Sequence, residues 1–321
     1  MRAEFRQRPV ASAASKADIG DRMSPPRLFD RALHRKRLDR AAGRFGMADF
    51  LKRRTAEDAA DRLASIMRHF PLAVDLSART GAFAEALSAS EARGRVGTLI
   101  EADFSTPMLR GRRGLRIALD EEALPFAPES LDLAVSLLSL HWTNDLVGAL
   151  IQVRQALKPD GLFLGALLGG QTLTELRQAL LQAESEILGG AGPRVSPFAD
   201  AFDGSALLQR AGFALPVSDV DRVTVRYDHP LKLMADLRAM GESNALIDRP
   251  GPLRRDVLAR MSAIYAERFA LPDGRIPATF EIVTLTGWAP HESQQKPLRP
   301  GSAKTRLADA LGTVEGRLER E

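Results

Sequence analysis

The stretch AVDLSARTGAFAEAL, Ala73–Leu87, decides the fold. Its opening belongs to a short apolar run, PLAVDL, that closes on an acid, the pattern of a strand buried in a parallel sheet. Its second half, GAFAEAL, is helical. Between them lies a tight loop of Ser77, Ala78, Arg79, Thr80 and Gly81. A strand, a tight loop and a helix form the place where an α/β protein holds a cofactor. Such loops are rich in glycine, which tolerates positive φ and has no Cβ to keep the ligand away. Here only Gly81 remains.

The same rhythm continues outward. VGTLIEAD predicts a second strand that ends in acids, Glu101 and Asp103. LRIALD predicts a short third strand and SLDLAVSLLSL a fourth. LVGALIQVRQAL predicts a helix that stops at a KPDG turn, with LFLGALLG as the fifth strand. Strands alternating with helices predict a doubly wound parallel sheet covered on both faces. Beyond it come a helix over 172–188, a Gly/Pro loop and a helix ending at Gly212. A strand PVSDVDRVTVRY, helices around LKLMADLRAM and DVLARMSAIYAERF, and a closing strand ATFEIVTLTGWA complete the pattern. Before the first strand, residues 27–63 are helical, with Pro26 as a start signal and Phe29, Leu33 and Leu38 at helical spacing. Phe50, Leu51, Ala59, Leu63 and Ile66 share one side of a second helix or helix pair.

Composition bounds the function. The chain has 321 residues, 45% hydrophobic and 27% charged, as in ordinary globular proteins. No window holds ~18 uninterrupted apolar residues, so no membrane span is expected. The absence of cysteine excludes disulfides, thiolate zinc sites and a cysteine nucleophile. The five histidines are scattered without metal-ligand spacing, which points away from a metal centre. The net charge of +4 is carried mainly by arginine. The run RALHRKRLDRAAGR reads as a solvated helix face. Nothing interleaves it with aromatic stacking residues, so nucleic acid is not the expected partner.

In open parallel sheets, ligands bind at the carboxyl ends of the strands. Asp75 ends the first strand there, and Asp103 ends the second, 103 − 81 = 22 residues after Gly81. That is close to the ~20 expected of an acid that accepts from ribose hydroxyls. Asp120 comes after the third strand, placed to accept from an adenine amino group, beside an apolar wall of Leu124, Pro125 and Phe126. The fourth strand carries Leu140, His141 and Trp142 to the rim. Singly each feature is weak, since an acid at a strand end is commonly a cap. Their order and spacing together are more specific.

AVDLSARTG, EADFSTPML, DEEALPF, SLLSLHW and ALKPDGLFLGAL resemble the successive motifs of class I S-adenosylmethionine-dependent methyltransferases. The resemblance implies an α/β, Rossmann-like seven-stranded sheet with its last strand antiparallel. It also implies S-adenosylmethionine as cofactor, with Asp103 on ribose, Asp120 on adenine and the loop at Asp75, Ser77, Arg79 and Gly81 facing the methionine part. Leu140 and His141 join this set.

A narrower resemblance covers most of the chain. FDRALHRKRLDRAA, HFPLAVDL, SLHWTNDL, LKPDGLFLGALLGGQTLTELRQAL, MGESNAL, GRIPATFEI and the HESQ of 291–294 are similar to the complex I assembly factor five family. Its mitochondrial members hydroxylate an arginine on an iron–sulfur subunit of respiratory complex I (NADH dehydrogenase). Malonyl-carrier methyltransferases are cousins. The resemblance implies that such a subunit is the partner. It implies a cytoplasmic location in a bacterium, peripheral to the inner membrane, or the matrix in a mitochondrion. It makes Trp142, Glu242, Ser243, Asn244 and His291 the expected substrate contacts. For MGESN a plain alternative stands beside it, with Gly241 as a helix C-cap and Ser243 or Asn244 capping the next segment.

The chain departs from the family pattern at the loop, where Ser77 and Arg79 replace the first two glycines of Asp-x-Gly-x-Gly-x-Gly. Three readings of Arg79 stand: its side chain points to solvent, supplies a cation to the ligand carboxylate, or fills the pocket. No residue declares itself as a general base; His141, Glu242 and His291 are the candidates near the rim. Three functions are compatible with this pattern: an assembly-type enzyme acting on a protein side chain, a small-molecule or carrier-ester methyltransferase, and a non-catalytic assembly factor. The expected organisation is an extension over 1–26, read as disordered, a helical cap over 27–70 and a methyltransferase-like domain over 71–290. A helical lid is inserted at about 228–276 and a loosely held tail spans 291–321.

Overall fold

The computed structural model describes residues 27–198, 204–295 and 305–313. The expected disordered extension over 1–26 and most of the 291–321 tail lie outside these residues. Seven strands form one sheet: β1 (Phe70–Asp75), β2 (Val96–Asp103), β3 (Leu115–Ala118), β4 (Leu131–Leu137), β5 (Leu157–Leu168), β6 (Ala214–Tyr227) and β7 (Ile276–Trp288). Their spatial order is β3-β2-β1-β4-β5-β7-β6. β1 pairs parallel with β2 on one side and β4 on the other, so the chain reverses direction of winding beside β1. β7 inserts antiparallel between β5 and β6.

Two apolar layers sandwich the sheet. On one face, α2 (Phe50–Ala64), α3 (Ala82–Ala89), α5 (Thr174–Leu188) and α8 (Arg255–Phe269) bury Leu51, Ala59, Leu63, Phe83, Leu176, Leu180, Ile264 and Tyr265 against the strands. On the other, α4 (Leu146–Ala156) and α6 (Gly204–Arg210) bury Leu150, Val153 and Leu208 with Phe163 and Leu285. β4 is buried along its whole length, which explains why its sequence shows no alternation.

Two local readings change. The first helix, α1 (Arg31–Ala41), starts at Asp30, whose side chain accepts from Leu33 N; it does not start at Pro26. Phe29 lies before it, in an antiparallel bridge to Leu246. KPDG is not a turn between elements but part of β5, which begins at Leu157 with an irregular register against β4. Asp160 takes φ +63 there, a local kink that lets the chain keep pairing instead of leaving the sheet.

α7 (Pro230–Met240) lays MGESN over the carboxyl ends of the strands. It ends at Gly241, in the left-handed region at φ +82, and a Cβ built there stands 2.7 Å from Leu38 Cδ2 of α1. Glycine is required twice over, by conformation and by the close approach of α1. Gly241→Ala is expected to lower the unfolding free energy by about 1 kcal/mol or more. Urea denaturation checks this, and an unchanged midpoint would contradict the α1–α7 packing.

Candidate active site

β1, β2 and β4 deliver Asp75, Asp103 and Leu137 to one end of the sheet, where the loop Ser77–Gly81 crosses. Ser77 and Arg79, which stand where glycines are usual, each have partners of their own. Ser77 Oγ donates to Leu137 O at 3.0 Å and accepts from Leu137 N at 2.9 Å, tying the loop to β4. Lys52 Nζ of α2, buried, donates to Ser77 O at 2.5 Å and Leu137 O at 2.8 Å. Burial lowers its pKa to about 8, although Asp75 opposes the shift. Asp75 itself is buried and its carboxyl is pushed up by desolvation, with Oδ2 left without a hydrogen-bond partner.

Arg79 adopts φ +52 and turns inward. Its side chain is 2% exposed, and both its backbone N and its Nη1 donate to Asp103 Oδ2 at 2.8 Å. Asp103 Oδ1 accepts from Ser105 N at 2.8 Å. Burial opposes the guanidinium charge, but Asp103, Glu121 and Glu242 outweigh it and keep the group above its ordinary range. Of the three readings of Arg79, the structure excludes the one in which the side chain points to solvent. Gly81, at φ +90, lies under the Arg112 guanidinium, which pairs with Glu101 at 2.8 Å.

Among the described residues, Asp120 is engaged through Oδ1 alone. Arg31 of α1 donates through Nη2 to Asp120 and to the buried Glu121, both at 2.6 Å, with its guanidinium 4.2 Å from the Phe104 ring centre. Glu121 also accepts from Ser139 Oγ. His34 stacks on Trp142, with ring centres 4.6 Å apart. Burial, and the cations Arg79 and Arg31 after it, hold His34 well below its ordinary pKa.

Glu242 is the meeting point of the rim. Its Oε2 lies 3.1 Å from His141 Nε2 and accepts from Trp142 Nε1 at 2.8 Å. It faces a cavity of about 630 Å³ that Trp142, Ser243 and Asn244 also line. MGESN therefore divides its work. Gly241 caps α7. Asn244 accepts from Leu246 N at 2.9 Å and donates to Pro193 O at 2.7 Å, so its amide is spent on tying down the neighbouring loop. Glu242 and Ser243 line the cavity, and neither is spent on capping a helix.

Two predicted contacts do not join this site. Leu140 packs into the apolar layer on the α4 face. His291 lies after β7, beside the start of β5, at the opposite end of the sheet, where its ring meets Ser293 Oγ at 2.6 Å. β7 runs antiparallel, so residues beyond its end emerge far from the ends of β1 and β2. The arginine run is not merely a solvated face: Arg31 and His34 point inward, and Arg37, Arg40 and Arg44 line the cavity.

Lys52, Arg31 and Glu121 were not among the expected site residues. Helical spacing carries the signal for the first: Lys52 falls in register with Ala56, Ala59 and Leu63, a lysine within a buried stripe. Arg31 shares a face with His34, Leu38 and Ala41 in the same way. Glu121 has no such signal, because its neighbours Asp120 and Glu122 are equally acidic.

Asp103 and Asp120 stand where a nucleoside cofactor would be held, yet both are engaged by arginines. A separate void of about 30 Å³ lies between Lys52, Arg79, Leu138 and Glu242, and neither Asp103 nor Asp120 lines it. Arg79 would have to leave Asp103 before ribose hydroxyls could take the same carboxylate oxygen of that residue.

The strand order, the antiparallel β7 and the acids at the ends of β1 and β2 define a class I S-adenosylmethionine-dependent methyltransferase fold. The profile of the family described as "Methyltransferase domain" matches residues 74–165. The YcgJ protein of Bacillus subtilis superposes with a TM-score of 0.50 at 16% identity, over 74% of this chain and 98% of that one. Within that class, the zebrafish (Danio rerio) protein named "Arginine-hydroxylase NDUFAF5, mitochondrial" is 42% identical over 88% of this chain and 89% of its own length. The human protein of that name is 41% identical over 89% and 84%. A malonyl-[acyl-carrier protein] O-methyltransferase of Methylovorus is 34% identical over 90% and 96%. The chain belongs to the NDUFAF5 arginine-hydroxylase family.

The loop generates two predictions. Arg79→Gly relieves the left-handed strain and empties the space beside Asp103, but leaves that carboxylate unpaired. Calorimetric titration with S-adenosylmethionine should show tighter binding than wild type, alongside a loss of about 3 kcal/mol in the unfolding free energy without ligand. Weaker binding would mean that Arg79 holds the ligand instead of obstructing it. Lys52 supplies a pH test. Between about 8 and 10.5 the unfolded chain binds its proton and the folded chain does not, so this lysine's contribution to stability rises with pH across that window. The unfolding free energy of wild type minus that of Lys52→Met should grow from about pH 8 to about pH 10.5. A difference that is flat or falls would contradict the burial of the ammonium.

Proposed function

We propose that this protein serves the assembly of respiratory complex I by receiving a side chain of a protein partner, an iron–sulfur subunit, in the cavity beside Glu242. One observation carries the reading. Glu242 Oε2 is held by His141 and Trp142, while Oε1 has no hydrogen-bond partner among the described residues and the side chain lines the cavity. A carboxylate fixed through one oxygen and open through the other is prepared for a directional donor, and a guanidinium is the best match. The name of the relatives, arginine-hydroxylase, supports the same choice of side chain. The apolar floor of Leu168, Leu173, Leu176 and Phe280 would exclude water around the bound group.

In this reading Trp142 and His141 set the carboxylate, Glu242 sets the orientation of the substrate, and Ser243 lies at its side. S-adenosylmethionine is the cofactor only in a state where Arg79 has turned away from Asp103. No helix among the described residues is long and apolar enough to cross a membrane. The proposed working place is beside the inner membrane where the complex is built, on the cytoplasmic side in a bacterium or in a mitochondrial matrix.

The buried Arg79–Asp103 pair favours a second reading, a non-catalytic assembly factor that keeps the fold and binds the subunit without modifying it. Intact-mass spectrometry of the iron–sulfur subunit, coexpressed with and without this chain, separates the two. A gain of about 14 Da (methyl) or about 16 Da (hydroxyl) that disappears with Glu242→Gln supports modification. A complex that forms with no change in mass supports the second reading. Neither a complex nor a mass change would contradict both.

A further inference from the structure

The cavity beside Glu242 has two electrostatic ends. At the inner end stands Glu242, the one carboxylate that lines the cavity among the described residues. Around the mouth stand Arg37, Arg40 and Arg44, along α1 and just beyond it, with Arg238 of α7 and Arg194 from the loop after α5. Arg194 is held by Glu184 at 2.7 Å. Among the described residues, no carboxylate lies within 4.0 Å of Arg37, Arg40, Arg44 or Arg238.

Four like charges gathered around one opening repel each other, and among the described residues none of them has a carboxylate within salt-bridge distance. Arg37 shows the consequence: its Nη1 is buried without a partner. Its basicity is lowered by burial and then by Arg249, with Arg40 adding to the effect and Asp30 opposing it. An anion at the mouth would relieve this crowding. The floor limits what kind of anion enters. It is apolar and aromatic, with Leu168, Leu176, Phe198 and Phe280, and it ends at Glu242, which repels a negative group pushed to the bottom. A uniformly anionic polymer matches the mouth and not the floor. A lone guanidinium matches the floor and not the mouth.

We propose that the cavity recognises a partner segment in which the arginine that reaches Glu242 is flanked by acidic residues, whose carboxylates pair with Arg37, Arg40, Arg44 and Arg238. The inference rests on the protein-substrate reading above and adds the sequence character of the substrate. In an extended segment, neighbours of the target stand about 3.4 Å apart along the chain, so acidic side chains on either side reach the mouth while the arginine goes down. Bidentate arginine–carboxylate pairs give such recognition its register. Substrates with neutral surroundings are discriminated against by the uncompensated arginines.

The test uses the full chain and three short fluorescein-labelled peptides, read by anisotropy. The first has a central arginine with two glutamates on each side. The second has glutamine in place of all four glutamates. The third keeps the glutamates and has glutamine in place of the arginine. The first peptide should bind at least about tenfold more tightly than the second at low salt, the advantage shrinking as salt rises. The double variant Arg40→Gln/Arg238→Gln changes two exposed residues, and a circular dichroism melt confirms that it folds. It should remove most of the advantage. Equal affinity for the first two peptides overturns the inference, as does an advantage that survives the double variant. So does a single-stranded oligonucleotide that binds as tightly as the first peptide and is weakened equally by the variant. Comparison of the first and third peptides addresses the underlying reading separately. Loss of affinity with the third supports contact with Glu242. Equal affinity contradicts that contact while the flanking comparison still decides the role of the mouth.

Discussion

The buried pair of Arg79 and Asp103 sets the state of this molecule. A guanidinium and a carboxylate removed from water each carry a large desolvation penalty, and close pairing with added backbone donors is what makes the arrangement tolerable. Arg79 meets that demand twice, through its N–H and its Nη1, and Ser105 satisfies the other carboxylate oxygen. The consequence reaches across the site. With Arg79 inward, both oxygens of Asp103 are engaged, and the positive charge at the centre helps keep His34 neutral. Ser77 and Lys52 complete the locking by fastening the same loop to β4. Where a glycine loop would present bare backbone to a ligand, this chain presents Ser77 paired with Leu137 and Arg79 paired with Asp103, with Arg79 Nη2 left buried and without a hydrogen-bond partner among the described residues.

Much of the fold was legible because the parallel strands are short apolar runs that end in acids. Val96–Asp103 spans the residues that its sequence pattern suggests, and β1, β6 and the helices α4, α7 and α8 lie within a few residues of expectation. KPDG was not legible as strand, because proline and glycine mark turns unless a kink such as that at Asp160 keeps the pairing. In the site, the order of Asp75, Asp103 and Asp120 was legible and their occupants were not. The direction of Arg79 depends on a left-handed φ and on a carboxylate 24 residues away, neither of which periodicity encodes. His291 was misplaced for a topological reason: the antiparallel insertion of β7 sends the residues beyond it to the far end of the sheet.

The contrast between the closed loop and the open cavity organises the functional reading. Arginines from the loop and from α1 engage Asp103 and Asp120, while the cavity beside Glu242 is about 630 Å³ and is lined by Glu242, Ser243 and Asn244 of MGESN. α1 serves both. One of its faces sends Arg31 to Asp120 and Glu121, and another lines the cavity with Arg37 and Arg40. A shift of this helix would therefore alter the cofactor end and the substrate end together, and Gly241, packed on Leu38, is the contact through which α7 and Glu242 would move with it.

A double-mutant cycle with Arg79→Met, Asp103→Asn and both together tests the central pair most directly. The unfolding free energies of the four proteins, measured by urea denaturation without ligand, give the coupling between the two side chains. A buried pair that governs the loop predicts a coupling of about 3 kcal/mol, with each single variant strongly destabilised and the double variant less so than their sum. A coupling near zero, with additive single effects, would show that Arg79 does not rest on Asp103 in solution and that the loop is open to its cofactor.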